Sequence, residues 1–388
     1  MGRDREQERQ EAVQRFLRGD RPVTIYRALG RTKPWFFRWL QRYREGTPTW
    51  FRDRSRRPGM HPRQTPAAVA RQVVTIRKRL AATRYAQVGA GAIQWELHRL
   101  RVRPLPGLWT INRILKRAGC IQRRGPYVPK GIPYPDLTGG GQRRLHQADL
   151  VGPRYLQGGT RFYSLHVMDL PTHRVTLTPT GTQRDEVIEA ALVAAWHALG
   201  VPDLLQLDNK WSFFGSPRYP RALGQVVRLC LQVGVEPVFI PLGEPWRNGA
   251  IERFQDLYDK KFFRAQTFRD YRHLVRESAT FEAFHNTQHR YSVLQGRTPA
   301  AVAGTLPQRA LPAGFTAPRH RLPIYPGRVH LVRFIRSDRI LDVFGERLRV
   351  PRALVYHYVV ATIQTDAQRL VVSLDGAPVH ELPYELPG

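Results

Sequence analysis

The 388-residue sequence has little cysteine, little methionine and few acidic residues. Its two cysteines, Cys120 and Cys230, stand far apart, which excludes a disulfide framework and a Cys-x-x-Cys zinc site. No run of about 18 apolar residues is present to cross a bilayer. The first ten residues are charged where a signal peptide needs an apolar stretch. We therefore expect a protein of the reducing cytoplasm with no membrane partner.

Basic residues greatly outnumber acidic residues in the chain. The chain has 62 lysines and arginines and 31 aspartates and glutamates, which gives a net charge of +31. Residues 1–140 hold 31 basic and 9 acidic residues, so +22 of this charge lies there and +9 in residues 141–388. The cations are spread over several helices and form no single basic amphipathic helix, which favours nucleic acid over anionic lipid as the partner. We expect a nucleoid-associated protein.

The chain is long enough for two to four domains, at about 150 residues each. Hydrophobic residues make up 42% of it, which is enough for globular cores. Changes in pattern divide it into a first helix-turn-helix unit at 1–50, a basic linker at 51–64, a second helix-turn-helix unit at 65–125, a Pro/Gly linker at 126–143, an α/β core at 144–305 and a small all-β domain at 322–388.

The first unit is predicted to contain three short helices, with Gly19 and Gly30 ending the first two. On the third helix we expect Trp35, Leu40 and Tyr43 to pack inward. The cations left on its surface would contact phosphates or base edges, as in a recognition helix: Lys33, Arg38, Arg42 and Arg44. The alternative is a small basic helical domain whose charges are only solvated.

The second unit is predicted to contain helices at 66–82, 91–100 and 110–118. Its last helix alternates apolar residues with Arg113, Lys116 and Arg117, which are candidate DNA contacts. We expect Trp109 to lie in the core, so the functional prediction depends only on the interleaved cations.

From residue 145 the pattern changes to that of an α/β layer. Short apolar runs at 145–152, 160–170 and 173–180 predict three strands, followed by a helix at 185–200 and a strand at 203–208. A further helix and strand precede a long helix that begins near Asn248. The expected fold is a mixed sheet with flanking helices. After residue 322, alternation predicts a barrel of five strands.

Three acids occupy positions where a metal ion could use them. Asp149 is predicted to close the first strand, LHQAD, and Asp208 to close the fourth, LLQLD, while Glu252 lies four residues into the long helix. Ligands gather beyond the carboxyl ends of strands in an α/β sheet, so these acids can converge. A carboxylate cluster requires a cation and suits Mg²⁺. Two such ions would activate an attacking oxygen and stabilise a leaving one, which indicates phosphodiester cleavage or strand transfer. Each acid alone would instead be an ordinary strand-end or helix-cap residue.

Several motifs occur in a characteristic order: HQADLVG, LQLDNKWSFFG, PLGEPWRNGAIERF and HNTQHRYSVLQGRTPAAV. Together they resemble the DDE-class insertion-sequence transposases, which share a retroviral-integrase-type catalytic core. The resemblance is close over about residues 140–305 and looser over nearly the whole chain. It implies a ribonuclease H-like core, two Mg²⁺ or Mn²⁺ ions, and cleavage and joining of DNA ends.

The resemblance assigns Asp149, Asp208 and Glu252 as catalytic residues and metal ligands. The 43 residues between Asp208 and Glu252 are more than the family usually has, and Glu244 would restore the shorter interval. We prefer Glu252, because Glu244 precedes Pro245 in a loop, and we place an insertion of about eight residues around 216–224. A second departure is Lys210, where the family often has glycine.

The long helix supports this assignment. Its apolar residues have helical spacing and predict one buried face: Ile251, Phe254, Tyr258 and Phe262. Asp256 and Asp259 are expected to be solvated, whereas Lys260 and Lys261 are candidate contacts to DNA near the cleavage site. Asp169 follows the second strand, but the family has no ligand at that position.

We therefore expect a DNA transposase or integrase whose helix-turn-helix units bind element ends and whose core cuts and joins them to target DNA. Synapsis of two ends implies a homo-oligomer. The glycines at 139–141 lack the Lys-Ser/Thr of a phosphate-binding loop, so an ATPase partner, if any, is a separate protein. Two alternatives stay open: a catalytically silent, domesticated DNA-binding protein, and a ribonuclease H-like nuclease without strand transfer.

Overall fold

A computed structural model of the chain describes residues 2–54, 65–121, 131, 133–215, 219 and 221–387. It contains two compact units, residues 1–64 and 65–388. Most of the basic linker expected at 51–64, residues 126–130 and 132 of the expected Pro/Gly linker, and residues 216–218 and 220 of the expected insertion lie outside the described residues. No helix in the described part of the chain is long and apolar enough to span a membrane.

The first unit consists of α1 (Gly2–Leu17), α2 (Pro22–Ala28) and α3 (Lys33–Arg44). Gly19 and Gly30 follow α1 and α2 with positive φ angles of 103° and 63°, which glycine adopts without strain. The inward face expected for α3 is partly wrong: its buried residues are Phe36, Trp39 and Leu40. Spacings of three and four residues place these side chains on one face, so Trp35 is only half-buried and Tyr43 is exposed.

The second helical unit consists of α4 (Ala67–Ala82), α5 (Ala90–Arg99) and α6 (Leu108–Arg117), close to the predicted bounds. The prediction that Trp109 lies in the core is wrong, because its residue surface is 71% exposed. Ile111 and Leu115 form the buried face of α6, and Trp109 lies about 200° around the helix from Ile111. The Arg113 guanidinium stacks on the Trp109 ring, 4.6 Å from its centroid.

Helices α4–α6 and the α/β core belong to the same compact part of the chain, residues 65–388, and pack against each other. Tyr85 inserts among core aromatic rings, with its centroid 5.0 Å from that of Phe281. The Gln87 side chain bonds the backbone of Arg290 twice, accepting from its N–H at 2.7 Å and donating to its carbonyl at 2.8 Å. These contacts hold α4–α6 against the core.

The core is built on β1 (Leu145–Tyr155), β2 (Arg161–Asp169), β3 (Val175–Thr180), β4 (Leu204–Leu207) and β5 (Glu236–Phe239). The first three strands are antiparallel neighbours, and β4 and β5 run parallel to β1, in the order β3-β2-β1-β4-β5. This mixed sheet with flanking helices confirms the predicted α/β core.

Helices cover both faces of this sheet. One face packs against α7 (Asp185–Leu199) and α9 (Gln225–Gln232), with the short α8 (Trp211–Phe214) between them in sequence. The other packs against α10 (Gly249–Tyr258), a π-helical turn at Asp259–Phe263, and α11 (Tyr271–Gln288); α12 (Pro299–Ala303) follows. The predicted apolar face of the long helix is confirmed, since all four of its residues are buried.

The C-terminal strands are β6 (Arg328–Phe334), β7 (Ile340–Val343), β8 (Glu346–Arg349), β9 (Tyr358–Gln364), β10 (Arg369–Leu374) and β11 (Ala377–Pro383). The expected five-stranded barrel is not confirmed. Instead, β6 pairs with β5 in parallel, and β9, β10 and β11 continue outward to make one sheet of nine strands; β7 and β8 form a separate hairpin. This pairing satisfies backbone groups that β5 would otherwise expose at a sheet edge.

A charged contact crosses the junction of β5 and β6. The Glu236 carboxylate accepts hydrogen bonds from His330 Nε2 at 2.8 Å and Arg143 Nη2 at 2.6 Å. Burial raises the pKa of Glu236, but the hydrogen bonds from His330 and Arg143 outweigh it and lower the pKa to about 2. The ionised carboxylate therefore stabilises the junction at neutral pH.

We predict that Glu236→Gln lowers the free energy of unfolding by about 2 kcal/mol at pH 7. Because the folded-state pKa is depressed, this difference from wild type should shrink as the pH falls from 4.5 towards 2. Urea unfolding at pH 7 and pH 3 measures it. The exposed ion-pair residue Glu381 provides the control, and Glu381→Gln should change stability by less than about 1 kcal/mol. A Glu236→Gln effect independent of pH would contradict this role.

Candidate active site

Asp149 and Asp208 are brought together by the pairing of β1 with β4. Gln147 of β1 lies opposite Gln206 of β4 in this parallel pair, and each aspartate stands two residues after its glutamine. Because side chains alternate along a strand, each aspartate continues the face of its glutamine. One detail differs from the prediction: Asp149 lies within β1, which continues to Tyr155, whereas Asp208 directly follows β4.

The Lys210 ammonium stands between the two aspartates. Lys210 Nζ lies 2.6 Å from Asp149 Oδ1 and 3.0 Å from Asp208 Oδ2. Burial lowers the pKa of Lys210, but the two carboxylates outweigh this and raise it above its ordinary value. Burial raises the pKa of Asp208, and the charge of Asp149 adds to this while Lys210 opposes it.

The start of α10, which holds Glu252, is attached to the same two strands. Gln147 Oε1 accepts a hydrogen bond from the Ile251 N–H at 3.0 Å. Gln206 Nε2 donates to Asn248 Oδ1 at 2.8 Å and to the Arg247 carbonyl at 3.0 Å. The first turn of α10 is therefore fixed against the strands that carry the aspartates.

Glu252 lies in this first turn and is half-buried. Burial raises its pKa, and the negative charge of Asp149 raises it further. One turn later, Gln255 Nε2 donates to Asp149 Oδ2 at 2.7 Å. The helix thus contacts Asp149 directly and places the Glu252 carboxyl within its electrostatic reach.

Glu244, the other candidate for the third acid, is engaged elsewhere. Its carboxylate accepts from the Tyr358 hydroxyl at 2.7 Å and from Arg247 Nε at 2.9 Å. Tyr358 begins β9, and the Arg247 guanidinium lies over the Tyr134 ring at 4.1 Å. Glu244 therefore ties the loop before α10 to the C-terminal part of the sheet.

Asp169 is fully buried in a network of its own. It accepts from Arg144 Nε at 2.9 Å and Nη2 at 2.7 Å, and also from the Thr172 hydroxyl. Burial raises its pKa, but hydrogen bonds from His146 and Arg144 outweigh this and lower it. These contacts give Asp169 a structural role between β1 and β2.

The oxygens around Lys210 are of the kind that a hard divalent ion accepts. The donors are carboxylates, which Mg²⁺ and Mn²⁺ accept, and a cationic group already stands between two of them. Among the residues that the structure describes, no three His, Cys, Asp or Glu side chains are grouped closely enough to hold a metal ion. Glu252 is near enough to Asp149 for their charges to interact, but the three acids do not form such a group.

The predicted DNA contacts differ in their surroundings. Lys33, Arg38, Lys116 and Arg117 are exposed. The half-buried Arg42 stacks on the Trp39 ring at 4.6 Å, just as Arg113 stacks on Trp109. Lys260 is exposed and pairs with Asp256, and Lys261 is half-buried in the π-helical turn. Contact of these residues with DNA remains a prediction.

The sequence interpretation missed the glutamines that position the acids. Gln147 and Gln206 each precede an aspartate by two residues, and this repeated Gln-x-Asp pattern could have indicated them. It also missed Arg333 of β6, which donates to Asn209 Oδ1 at 2.9 Å and to the Ile240 carbonyl at 2.9 Å. Burial lowers the pKa of Arg333 to about 10. No local pattern could reveal a contact between residues 124 positions apart.

Two parts of the chain match known families. Residues 3–49 match the family model of a homeodomain-like domain, and residues 233–299 match that of the integrase core domain. These matches confirm the resemblance to integrases and transposases and the helix-turn-helix type of the N-terminal region. They support a function in DNA integration or transposition.

Solved structures with similarity to the chain include retroviral integrases. A simian T-cell lymphotropic virus intasome, in complex with PP2A regulatory subunit B56 gamma, has a chain 14% identical over 77% of this chain and 97% of its own, with a TM-score of 0.36. The magnesium-bound integrase catalytic core domain of HTLV-2 is 17% identical over 42% of this chain and 96% of its own, with a TM-score of 0.32.

We predict different effects on stability for substitutions of the two candidate glutamates. Glu244→Gln should lower the free energy of unfolding by about 1–3 kcal/mol, because the Tyr358 and Arg247 groups would lose a charged acceptor. Glu252→Gln should leave stability unchanged or slightly raised, because burial and Asp149 both disfavour its charge. Denaturant unfolding at pH 7 with EDTA compares them. The reverse order of stabilities would contradict the structural role of Glu244.

Proposed function

We propose that the chain is a metal-dependent DNA transposase or integrase that cleaves phosphodiester bonds at element ends and joins those ends to target DNA. The observation that carries this proposal is the pair of aspartates, Asp149 and Asp208, that both contact the Lys210 ammonium, with Glu252 on the adjoining helix. The integrase core match over residues 233–299 includes that helix and supports the same reaction class.

Asp149, Asp208 and Glu252 would hold two Mg²⁺ or Mn²⁺ ions. Bound there, the ions would supply an activated attacking oxygen and charge stabilisation for the leaving oxygen. The chain's own residues orient the ligands: Gln255 holds one oxygen of Asp149, and Gln147 fixes the backbone of α10 beside Glu252. Such prepositioning reduces the reorganisation needed at reaction.

Glu252 is the third acid in this proposal, and Glu244 is a structural residue. The Glu244 carboxylate is already bound by a hydroxyl and a guanidinium that belong to the fold. Glu252 lies close enough to Asp149 for the two charges to repel. A metal ion between them would relieve that repulsion, whereas Glu244 would have to leave two partners to become a ligand.

The two helical units supply DNA affinity in this proposal. The predicted contacts are Lys33, Arg38 and Arg42 on α3, Arg113, Lys116 and Arg117 on α6, and Lys260 and Lys261 in the π-helical turn after α10. The charge of +22 in residues 1–140 favours binding to double-stranded DNA. Synapsis of two element ends requires a homo-oligomer, and any ATPase partner is a separate protein.

The direct test is a cleavage and strand-transfer assay in Mg²⁺, on labelled DNA that carries the ends flanking the gene. Asp149→Asn, Asp208→Asn and Glu252→Gln should each reduce cutting and joining at least about a hundredfold, because each removes a metal ligand. Asp256→Asn is the matched control: it lies on the same helix but is exposed, and it should keep wild-type activity. Fluorescence anisotropy should show that all four variants still bind DNA.

Other outcomes distinguish the alternatives. Loss of activity with Glu244→Gln and not with Glu252→Gln would move the third ligand to Glu244. Wild-type protein that binds the ends without cutting them would be a silent DNA-binding protein. Cutting without joining would identify a nuclease.

We predict that exposed cations on the two helical units contribute to the salt dependence of DNA binding. Arg38→Gln and Lys116→Gln should each reduce the slope of log K against log salt concentration by about one, because each removes a phosphate contact. Arg31→Gln is the control, since Arg31 is already paired with Glu8 through two hydrogen bonds. Equal slopes for all variants would contradict these contacts.

A further inference from the structure

The Lys210 ammonium has a hydrogen-bond acceptor for each of its three protons. An ammonium has three protons to donate, and Lys210 Nζ has three acceptors: Asp149 Oδ1 at 2.6 Å, the Leu150 carbonyl at 2.8 Å and Asp208 Oδ2 at 3.0 Å. All three acceptors lie at hydrogen-bonding distance, so the lysine occupies a built site.

The remaining carboxylate oxygens of the pair also accept bonds from the protein. Asp149 Oδ2 accepts from Gln255, and Asp208 Oδ1 accepts from the Lys210 backbone N–H at 3.2 Å. The oxygens that approach each other across the site are therefore the two bound by Lys210 Nζ. A divalent ion that bound both aspartates would therefore need the position that the Lys210 ammonium occupies.

The charges of the two aspartates favour a cation at this position. Two carboxylates bound to one nitrogen at 2.6 and 3.0 Å repel each other, and partial burial weakens the screening of that repulsion by water. The single charge of Lys210 neutralises one of the two. A divalent ion neutralises both, and its repulsion of the ammonium disfavours binding of the two cations to the same oxygens.

We propose that Lys210 is a resident cation of the active site, which holds Asp149 and Asp208 together in the metal-free protein and must be displaced when a divalent ion binds between them. This inference rests on the proposed function only in taking the aspartate pair as the metal site. The Lys210 side chain is 40% exposed, and its ammonium is carried on a flexible four-carbon stem. The ammonium can therefore move away from the aspartates towards solvent.

The test is Mn²⁺ binding by the full-length protein, followed through the electron paramagnetic resonance signal of free Mn²⁺. Lys210→Met removes the competing charge and should lower the Mn²⁺ Kd about tenfold or more. Lys78→Met removes the same charge from the exposed surface of α4 and should leave the Kd at the wild-type value. Lys210→Gln, which keeps a polar side chain, should change the Kd in the same direction as Lys210→Met.

Thermal unfolding gives a second readout without catalysis. In EDTA, Lys210→Met and Lys210→Gln should melt below wild type, because the aspartates lose their counter-ion. Saturating Mn²⁺ should close that gap. Lys78→Met should have the melting temperature of wild type both in EDTA and in saturating Mn²⁺.

The outcomes separate this inference from the proposed function. Equal Mn²⁺ Kd values for wild type and both Lys210 variants would overturn the role of Lys210 and leave the metal site intact. Mn²⁺ binding that Asp149→Asn does not weaken in any background, or no Mn²⁺ binding at all, would overturn both.

Discussion

Asp149 and Asp208 are forced together by the parallel pairing of β1 with β4, and the repulsion between their carboxylates must be relieved for the fold to hold them there. Lys210 relieves it through its contacts with both carboxylates, and in the proposed function the same two aspartates would hold a divalent ion. Glu252 stands on a helix that the neighbouring glutamines fix, so a third carboxylate is kept near without completing the cluster. We therefore expect the stability of the aspartate pair and its proposed affinity for metal to depend on the same electrostatic constraint.

The C-terminal strands support this site through the sheet itself. β6 pairs with β5, and Arg333 of β6 reaches the Asn209 side chain directly after Asp208. Tyr358 of β9 holds Glu244 in the loop before α10. These strands therefore hold the segment after Asp208 and the loop before α10, which a separate barrel on a linker would not do.

Much of this arrangement could be predicted from local patterns. The convergence of Asp149 and Asp208 follows from their places on two neighbouring apolar strands, although β1 continues past Asp149, and the buried face of α10 follows from helical spacing. The predicted burial of Trp109 is wrong, and the predicted inward face of α3 is partly wrong, because several faces of a short helix carry apolar residues and spacing alone does not show which face is buried. The joining of β6 to β5 and the contact of Lys210 with both aspartates depend on partners distant in sequence or on a side-chain rotamer, which periodicity does not encode.

Crystals of the full-length protein grown with Mn²⁺, with anomalous differences measured at the manganese edge, test the central claim most directly. The account predicts an anomalous peak in contact with Asp149 and Asp208, with the Lys210 ammonium moved away from both carboxylates. An anomalous peak bound elsewhere, with Lys210 still between the aspartates at saturating Mn²⁺, would contradict it.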